Sequence, residues 1–395
     1  MEYQEQDNHS LQNIVVSNGI RSLRELMDLV SGRSLVSSLP QEDSQLAENL
    51  PFPFLAIVGQ LEMKLALLLA IINPAVGGVL LIGPRGTGKT TAVRSLLDIL
   101  PEINRSACYY GCTEEDIQAG GMDAVCPDCA RKFAEGVPLT KVDAVRLVEL
   151  PNNAQLEDVI GSVDDRAGLH ERRRLVRGIL SHADQNVLYI DEVNLLNNLI
   201  VDSILDAASN GKYQVKRGEI RASYKARFSL IGSMNPEEGE IRPQIMDRFG
   251  LRILVHGLAD ADERLEAYRR IRLYQTNPYL VIRQFQADTL QARLEIIHAR
   301  SILPDVTIPD EVAQKGINLI RQLKIDSLRA EVTLFESARA YTAADGRTEV
   351  CFEDIAKVAP MSLRLRKSDF INQYFSQQDQ EETELKKSVF ALMPT

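Results

Sequence analysis

VLLIGPRGTGKTT, residues 79–91, joins four consecutive apolar residues to a glycine-rich loop closing on Gly88-Lys89-Thr90. A short apolar run without alternation reads as a strand buried on both faces. Gly83 to Thr90 fits G-x4-G-K-[ST], and a helix is expected from Thr90 to about Leu100. Strand before and helix after is the setting a phosphate loop needs. Its glycines let backbone N–H groups turn toward phosphate oxygens, and the helix N-terminus adds partial positive charge. The ATP-binding set is then Gly83, Pro84, Arg85, Gly86, Thr87, Gly88, Lys89, Thr90 and Thr91, with Lys89 reaching the β- and γ-phosphates and the Thr90 hydroxyl on Mg2+. A chance match in a Gly/Pro-rich loop is the bland reading, and the flanks disfavour it.

Outward from the loop, apolar runs at Arg146–Leu150, Val187–Ile190, Phe228–Gly232 and Leu251–Val255 read as further strands. Helical stretches between them predict crossover connections and a mainly parallel sheet covered on both faces. The strand at 187–190 ends in Asp191 and Glu192. In a nucleotide site Asp191 would hold Mg2+ through water and Glu192 would polarise the attacking water. The strand at 228–232 runs on to Asn235, an amide able to orient that water, and Arg248 follows thirteen residues later. Such an arginine can enter a neighbouring subunit's site, although ordinary salt-bridge arginines are commoner. Tyr213–Tyr224, polar with Arg217-Gly218 at its centre, reads as a projecting β-hairpin.

The predicted organisation is a polar extension (1–48, with a short amphipathic helix at Leu23–Val30), a nucleotide-binding domain (49–257), a helical domain (258–370) and a polar tail (371–395). Helices are expected at Gly59–Ile72, Ala259–Gln275, Phe285–Ile302, Asp310–Leu323, Ser327–Ala343 and Phe352–Leu365. The fold class is therefore α/β, a P-loop core followed by an all-α domain. The 395 residues carry 55 acidic and 45 basic side chains, a formal charge of -10, which disfavours non-specific nucleic-acid binding. The longest strongly apolar run, Leu65–Ile72, is too short for a membrane span of about 20 residues. The acidic start, MEYQEQDNHS, resembles neither a signal nor a transit peptide, so a cytoplasmic location is expected.

Four of the five cysteines form an insert, 108–130: Cys108 and Cys112 as C-x3-C, then Cys126 and Cys129 as C-x2-C. Short paired spacings suit a four-thiolate zinc site, while a thiol–disulfide switch and inert surface cysteines stay open. Cys351 reads as a packed core residue, and Arg172-Arg173-Arg174 as a solvated helix face.

The sequence resembles the ATPase subunits (subunit I) of magnesium chelatases, a branch of the AAA+ family. The likeness runs through Ile57-Val58-Gly59-Gln60, Asp191 to Leu196, Asn235 to Glu240, Arg242-Pro243-Gln244 and Asp247-Arg248-Phe249-Gly250. It continues through Leu328-Arg329-Ala330-Glu331, Gly346 to Val350 and Leu363 to Lys367, so that it spans about residues 50 to 370. The resemblance implies that Ile57 and Val58 border the adenine, Glu192 is the catalytic acid and Asn235 a first sensor. It also implies that Arg248 is a finger offered in trans and Arg329 a second sensor from the helical domain. It further implies a hexameric ring working with an AAA-like subunit that carries an integrin-type domain, and with a large porphyrin-binding subunit. The acidic, Pro-rich stretch of photosynthetic members is replaced here by the cysteine insert. A cobalt-chelatase motor or a MoxR-like chaperone would carry the same motor residues, and both stay open as alternatives. A DNA-acting helicase loader shares the hairpin but not the charge.

Overall fold

Helix α1 (Leu61–Ile72) starts two residues later than its sequence pattern suggests, because Gly59 and Gln60 both take positive φ (60° and 51°) and cannot belong to it. Asn73 ends it, and the Asn73 side chain accepts from the Ala75 amide to start the turn that leads into strand β1 (Val79–Ile82). Helix α2 (Lys89–Ser95) leaves the loop and tightens into a 3-10 turn through Ile99. These coordinates are a computed structural model, which describes residues 50–108, 110–164, 174–217, 220–239 and 241–367. The expected extension at 1–48 with its helix, the tail from 371, Arg172-Arg173, Gly218 and Glu240 lie outside the described residues.

The cysteine insert, expected at 108–130, is wider in the structure: it is built from β2 (Ile103–Ser106), α3 (Glu114–Gly120), α4 (Pro127–Ala134) and β3 (Thr140–Asp143), with β2 and β3 antiparallel. Strand β4 (Leu147–Leu150) returns to the core. Beyond helix α5 (Leu156–Ile160) comes the antiparallel ribbon of β5 (Gly161–Asp164) and β6 (Arg174–Arg177), so that Arg174, expected on a helix face, opens a strand instead. Helix α6 (Ile179–His182), β7 (Val187–Ile190) and α7 (Asn198–Asn210) follow. The expected hairpin is present as β8 (Lys212–Arg217) and β9 (Ile220–Lys225). Strand β10 (Ser229–Met234), helix α8 (Pro243–Arg248) and β11 (Leu251–Leu254) complete the core.

The five central strands are ordered β11-β1-β10-β7-β4 and every pairing is parallel. Alternation along them divides the core into two layers. Val79, Leu81, Val187 and Tyr189 enter the layer packed against α1 and α2, while Leu80, Ile82, Leu188 and Ile190 enter the layer beneath α7 and α8. Both faces are buried, which is why the strands read as continuous apolar runs.

The helical region consists of α9 (Ala261–Thr276), α10 (Pro278–Ile302), α11 (Asp310–Gln322), α12 (Leu328–Ala344) and α13 (Phe352–Leu363). Helix α10 begins seven residues before the expected Phe285, because Pro278 sits at its first position and the Asn277 side chain caps the Leu280 amide. Cys351 is not a core residue: it caps α13, half-exposed, with its Sγ 3.2 Å from Asp354. Leu334, Ala338 and Ile355 share the layer that holds α1. The last described turn locks onto β11. Buried Arg252 donates to the carbonyls of Arg364 and Leu365, and Arg366 donates to those of Phe249 and Gly250.

Candidate functional site

The phosphate loop hangs between two strand ends, its Gly83 amide donating to the Met234 carbonyl at 3.1 Å. A Cβ at Gly83 would lie 2.1 Å from the Val255 carbonyl oxygen, so the close approach of loop and β11 requires glycine. Gly86 and Gly88 take φ of 79° and 86° with open space beside them, where a ligand can approach the backbone. Lys89 Nζ donates to the Gly83 and Pro84 carbonyls at 2.7 and 2.8 Å, inside the loop it is to serve. Burial lowers its pKa, against the pull of Asp191, Glu238 and Glu192.

Asp191 and Glu192 leave the end of β7 beside this loop. Arg85, Lys89, Thr90, Asp191, Glu192 and Asn235 line one cleft of about 210 Å³. Two residues that the sequence did not single out organise it. Tyr189, buried in β7, brings its hydroxyl within 3.1 Å of Thr90 Oγ1, 2.9 Å of Asp191 and 3.1 Å of Ser233 Oγ. Ser233 Oγ in turn donates to Asp191 Oδ1 and accepts from the Glu192 amide at 3.3 Å. The hydroxyl of Thr90 and the carboxylate of Asp191 are thereby tied into one network of hard oxygen donors, the chemistry Mg2+ selects. Burial pushes the Tyr189 phenol up to about 12, so it stays a neutral donor. Only its place two residues before the acid could have flagged it.

Glu192 takes φ 53°, a left-handed conformation that is strained for a non-glycine residue and is found mostly where a side chain must be aimed. Arg85 lies 3.2 Å from Glu192 and also pairs with Glu238. Asn235 is buried, and its Oδ1 accepts from the Glu237 amide at 3.2 Å, which fixes the amide facing the cleft.

A second cavity of about 720 Å³ adjoins the loop. Ile57, Val58, Gly86 to Gly88 and Thr91 form one wall, and Tyr268 and Ile271 of α9 form the other. Its volume and mixed apolar lining suit a small organic ligand. The α9 wall was not legible in the sequence.

Arg248 and Arg329 lie elsewhere. Arg248, ending α8, sits 2.7 Å from Asp206 and 3.7 Å from Asp202 of α7. Arg329, opening α12, sits 3.0 Å from Asp247. Both line a third cleft with Gly77, Gly78, Ser229 and Gly250, residues that precede β1 and β11 or open β10. That cleft is at the opposite sheet edge from the phosphate loop, a four-residue strand away, or roughly 13 Å. Arg329, expected as a second sensor, is therefore not brought to its own chain's nucleotide cleft. Packing of α12 against α1 and the turn after it holds Arg329 at the far edge.

In the insert, the four sulfurs of Cys108, Cys112, Cys126 and Cys129 lie within 4.8 Å of one another. Cys108 Sγ is 3.7 Å from that of Cys112 and 3.5 Å from that of Cys126. The Tyr110 amide donates to Cys108 Sγ and the Cys126 amide to Cys112 Sγ.

A phosphate loop on a five-stranded parallel sheet, strand-end acids beside it and a helical lid after it define a P-loop ATPase of the AAA type. Residues 76–232 match the AAA domain family and residues 314–388 the AAA lid domain family. The magnesium-chelatase subunit ChlI homolog of Methanocaldococcus jannaschii is 40% identical over 81% of this chain and 87% of its own length. The magnesium-chelatase 38 kDa subunit of Acidiphilium rubrum is 40% identical over 80% of this chain and 90% of its own. A solved structure from Cytophaga hutchinsonii, 20% identical, has the same fold at a TM-score of 0.51, covering 85% of this chain and 91% of that one. The chain belongs to the magnesium-chelatase ATPase-subunit family, the ChlI family. It is an ATPase that uses ATP and Mg2+. No described helix is long and apolar enough to cross a membrane.

Proposed function

We propose that this chain is the ATP-hydrolysing motor of a magnesium chelatase, driving Mg2+ insertion into protoporphyrin IX from the cytosol. The 40% identity across four-fifths of the chain to subunits so named carries this reading. ATP binds with its base between Ile57, Val58 and α9 and its phosphates along Gly83 to Thr91. Thr90 and Asp191 hold a Mg2+ ion, which when bound offsets charge on the phosphates. Glu192 polarises the attacking water once nucleotide has drawn Arg85 away from it, and Asn235 orients that water.

Arg248 and Arg329 face away from their own nucleotide, at the opposite edge of the sheet. In a head-to-tail ring each subunit offers that edge to its neighbour's phosphate cleft, so both arginines act in trans. The ring is hexameric. It works with an AAA-like subunit carrying an integrin-type domain and with a porphyrin-binding subunit, which holds the tetrapyrrole that this chain does not. The cofactor set extends to one structural Zn2+ on Cys108, Cys112, Cys126 and Cys129, in preference to a redox switch. Reconstitution with both partner classes, followed by protoporphyrin fluorescence, tests the assignment. ATP-dependent formation of the Mg2+ porphyrin is the expected result, and insertion of Co2+ alone would reassign the motor to a cobalt chelatase.

A further inference from the structure

Resting on that zinc reading, we infer that the metal is a clamp: it holds the insert against the base of the β8–β9 hairpin, and the hairpin depends on zinc for its order. Three observations carry this. The first is the sulfur cage. A tetrahedral ion with Zn–S bonds of about 2.3 Å places its sulfurs about 3.8 Å apart. The observed separations of 3.5 and 3.7 Å, with all four sulfurs within 4.8 Å, fit one ion and are too tight for a multi-metal cluster. The two amide N–H groups directed at sulfur are the donors that stabilise thiolate over thiol.

The second is what the insert lacks. Its own core consists of Cys112, Cys129 and Leu139, with Cys108, Ile117, Val125 and Cys126 packed around them. Four of those seven residues are the cysteines, while Phe133, Val137 and Val142 are exposed. A segment of this size cannot be ordered by so little apolar burial, and metal binding supplies the missing free energy.

The third is what the insert touches. Asp116 pairs with Lys225 at the end of β9. The Tyr110 ring stacks on Tyr224 at 6.2 Å, and Tyr224 stacks on Tyr213 of β8 at 5.5 Å. The Cys108 carbonyl accepts from Arg177 of β6 at 3.4 Å. Tyr110 lies between the first two ligands and Asp116 four residues past the second, so the ion fixes the segment that grips the hairpin. None of these residues lines the phosphate cleft.

Two readouts on the full-length protein, purified under reducing conditions without added metal, test the clamp independently of nucleotide, porphyrin or partner. Elemental analysis should give about one zinc per chain, and Cys126→Ser with Cys129→Ser should remove it. Hydrogen exchange should then quicken by about tenfold or more in peptides spanning 108–130 and 212–225, with 79–82 unchanged. Stripping zinc from the wild type should give the same pattern, and adding Zn2+ alone should reverse it. Lys225→Ala should keep its zinc yet quicken exchange only in the hairpin. Metal-free protein in which all four insert thiols titrate along with Cys351, or another metal at that stoichiometry, overturns the zinc assignment. Zinc-free protein with unchanged hairpin exchange overturns the clamp and leaves the motor assignment standing.

Discussion

Ser233→Ala separates the positioning of the Asp191 carboxylate, the proposed Mg2+ holder, from mere packing. Ser233 is 1% exposed, and its hydroxyl meets Asp191 Oδ1, the Tyr189 phenol and the Glu192 amide together. Removing it takes one hydrogen bond from each. Tyr189 keeps Thr90 and Asp191 as partners, so no phenol is stranded, but the Glu192 amide loses its acceptor, and the loss of stability should be about 2 kcal/mol. In a chain of this length that shifts the melting temperature by only about 2 °C. The effect on metal use should be much larger, because the Asp191 carboxylate loses the group that orients it. Loss of such an outer partner costs about 10- to 100-fold in metal affinity or activity. Steady-state ATPase measured against free Mg2+, beside thermal melts, reads both quantities. The expected outcome is a Mg2+ requirement raised at least tenfold with the melt barely moved. An unchanged Mg2+ curve would refute the reasoning and leave Ser233 a packing residue.

Glu192→Gln should bind ATP nearly as wild type while hydrolysis falls by roughly 10²- to 10⁴-fold, checked by nucleotide titration and phosphate release. Gly250→Ala should lower stability by about 3 kcal/mol or more, because its Cβ would lie 1.7 Å from the Val76 carbonyl oxygen; chemical denaturation reads this. Asp354 supplies a pH test. Burial would raise its pKa, but hydrogen bonds from Arg347, Cys351 and Thr342 prevail and hold it at about 2. A depressed folded-state pKa gives stability that is present above the ordinary carboxylate value and lost as pH falls toward 2. Asp354→Asn should therefore be less stable at neutral pH and show a flatter decline across that acid window in melts.

What was legible in the sequence follows the physics of each feature. The strands were readable because both faces of the sheet are buried, so Val79–Ile82 and Val187–Ile190 are apolar at every position. The phosphate loop was readable because Gly83, Gly86 and Gly88 answer backbone demands that no other residue meets. Tyr189 and Ser233 were not, since a tyrosine or serine in a strand has no signature until the fold aims it at an acid. The ribbon of β5 and β6 was missed because its four-residue strands, GSVD and RLVR, mix charged and apolar residues and so show neither an apolar run nor a period. Arg329 could be named from its motif, but not its cleft, which depends on how α12 packs on α1.

The central claim, a catalytic centre divided between neighbouring subunits, meets its most direct test in mixed rings. Arg248→Ala and Glu192→Gln should each be nearly inactive alone. Mixed one to one, about one interface in four should pair an intact Glu192 with a neighbour's intact Arg248. The account predicts that ATPase activity per chain then rises to roughly a quarter of wild type. With ring mixing verified, activity no higher than that of the two variants measured separately would contradict it.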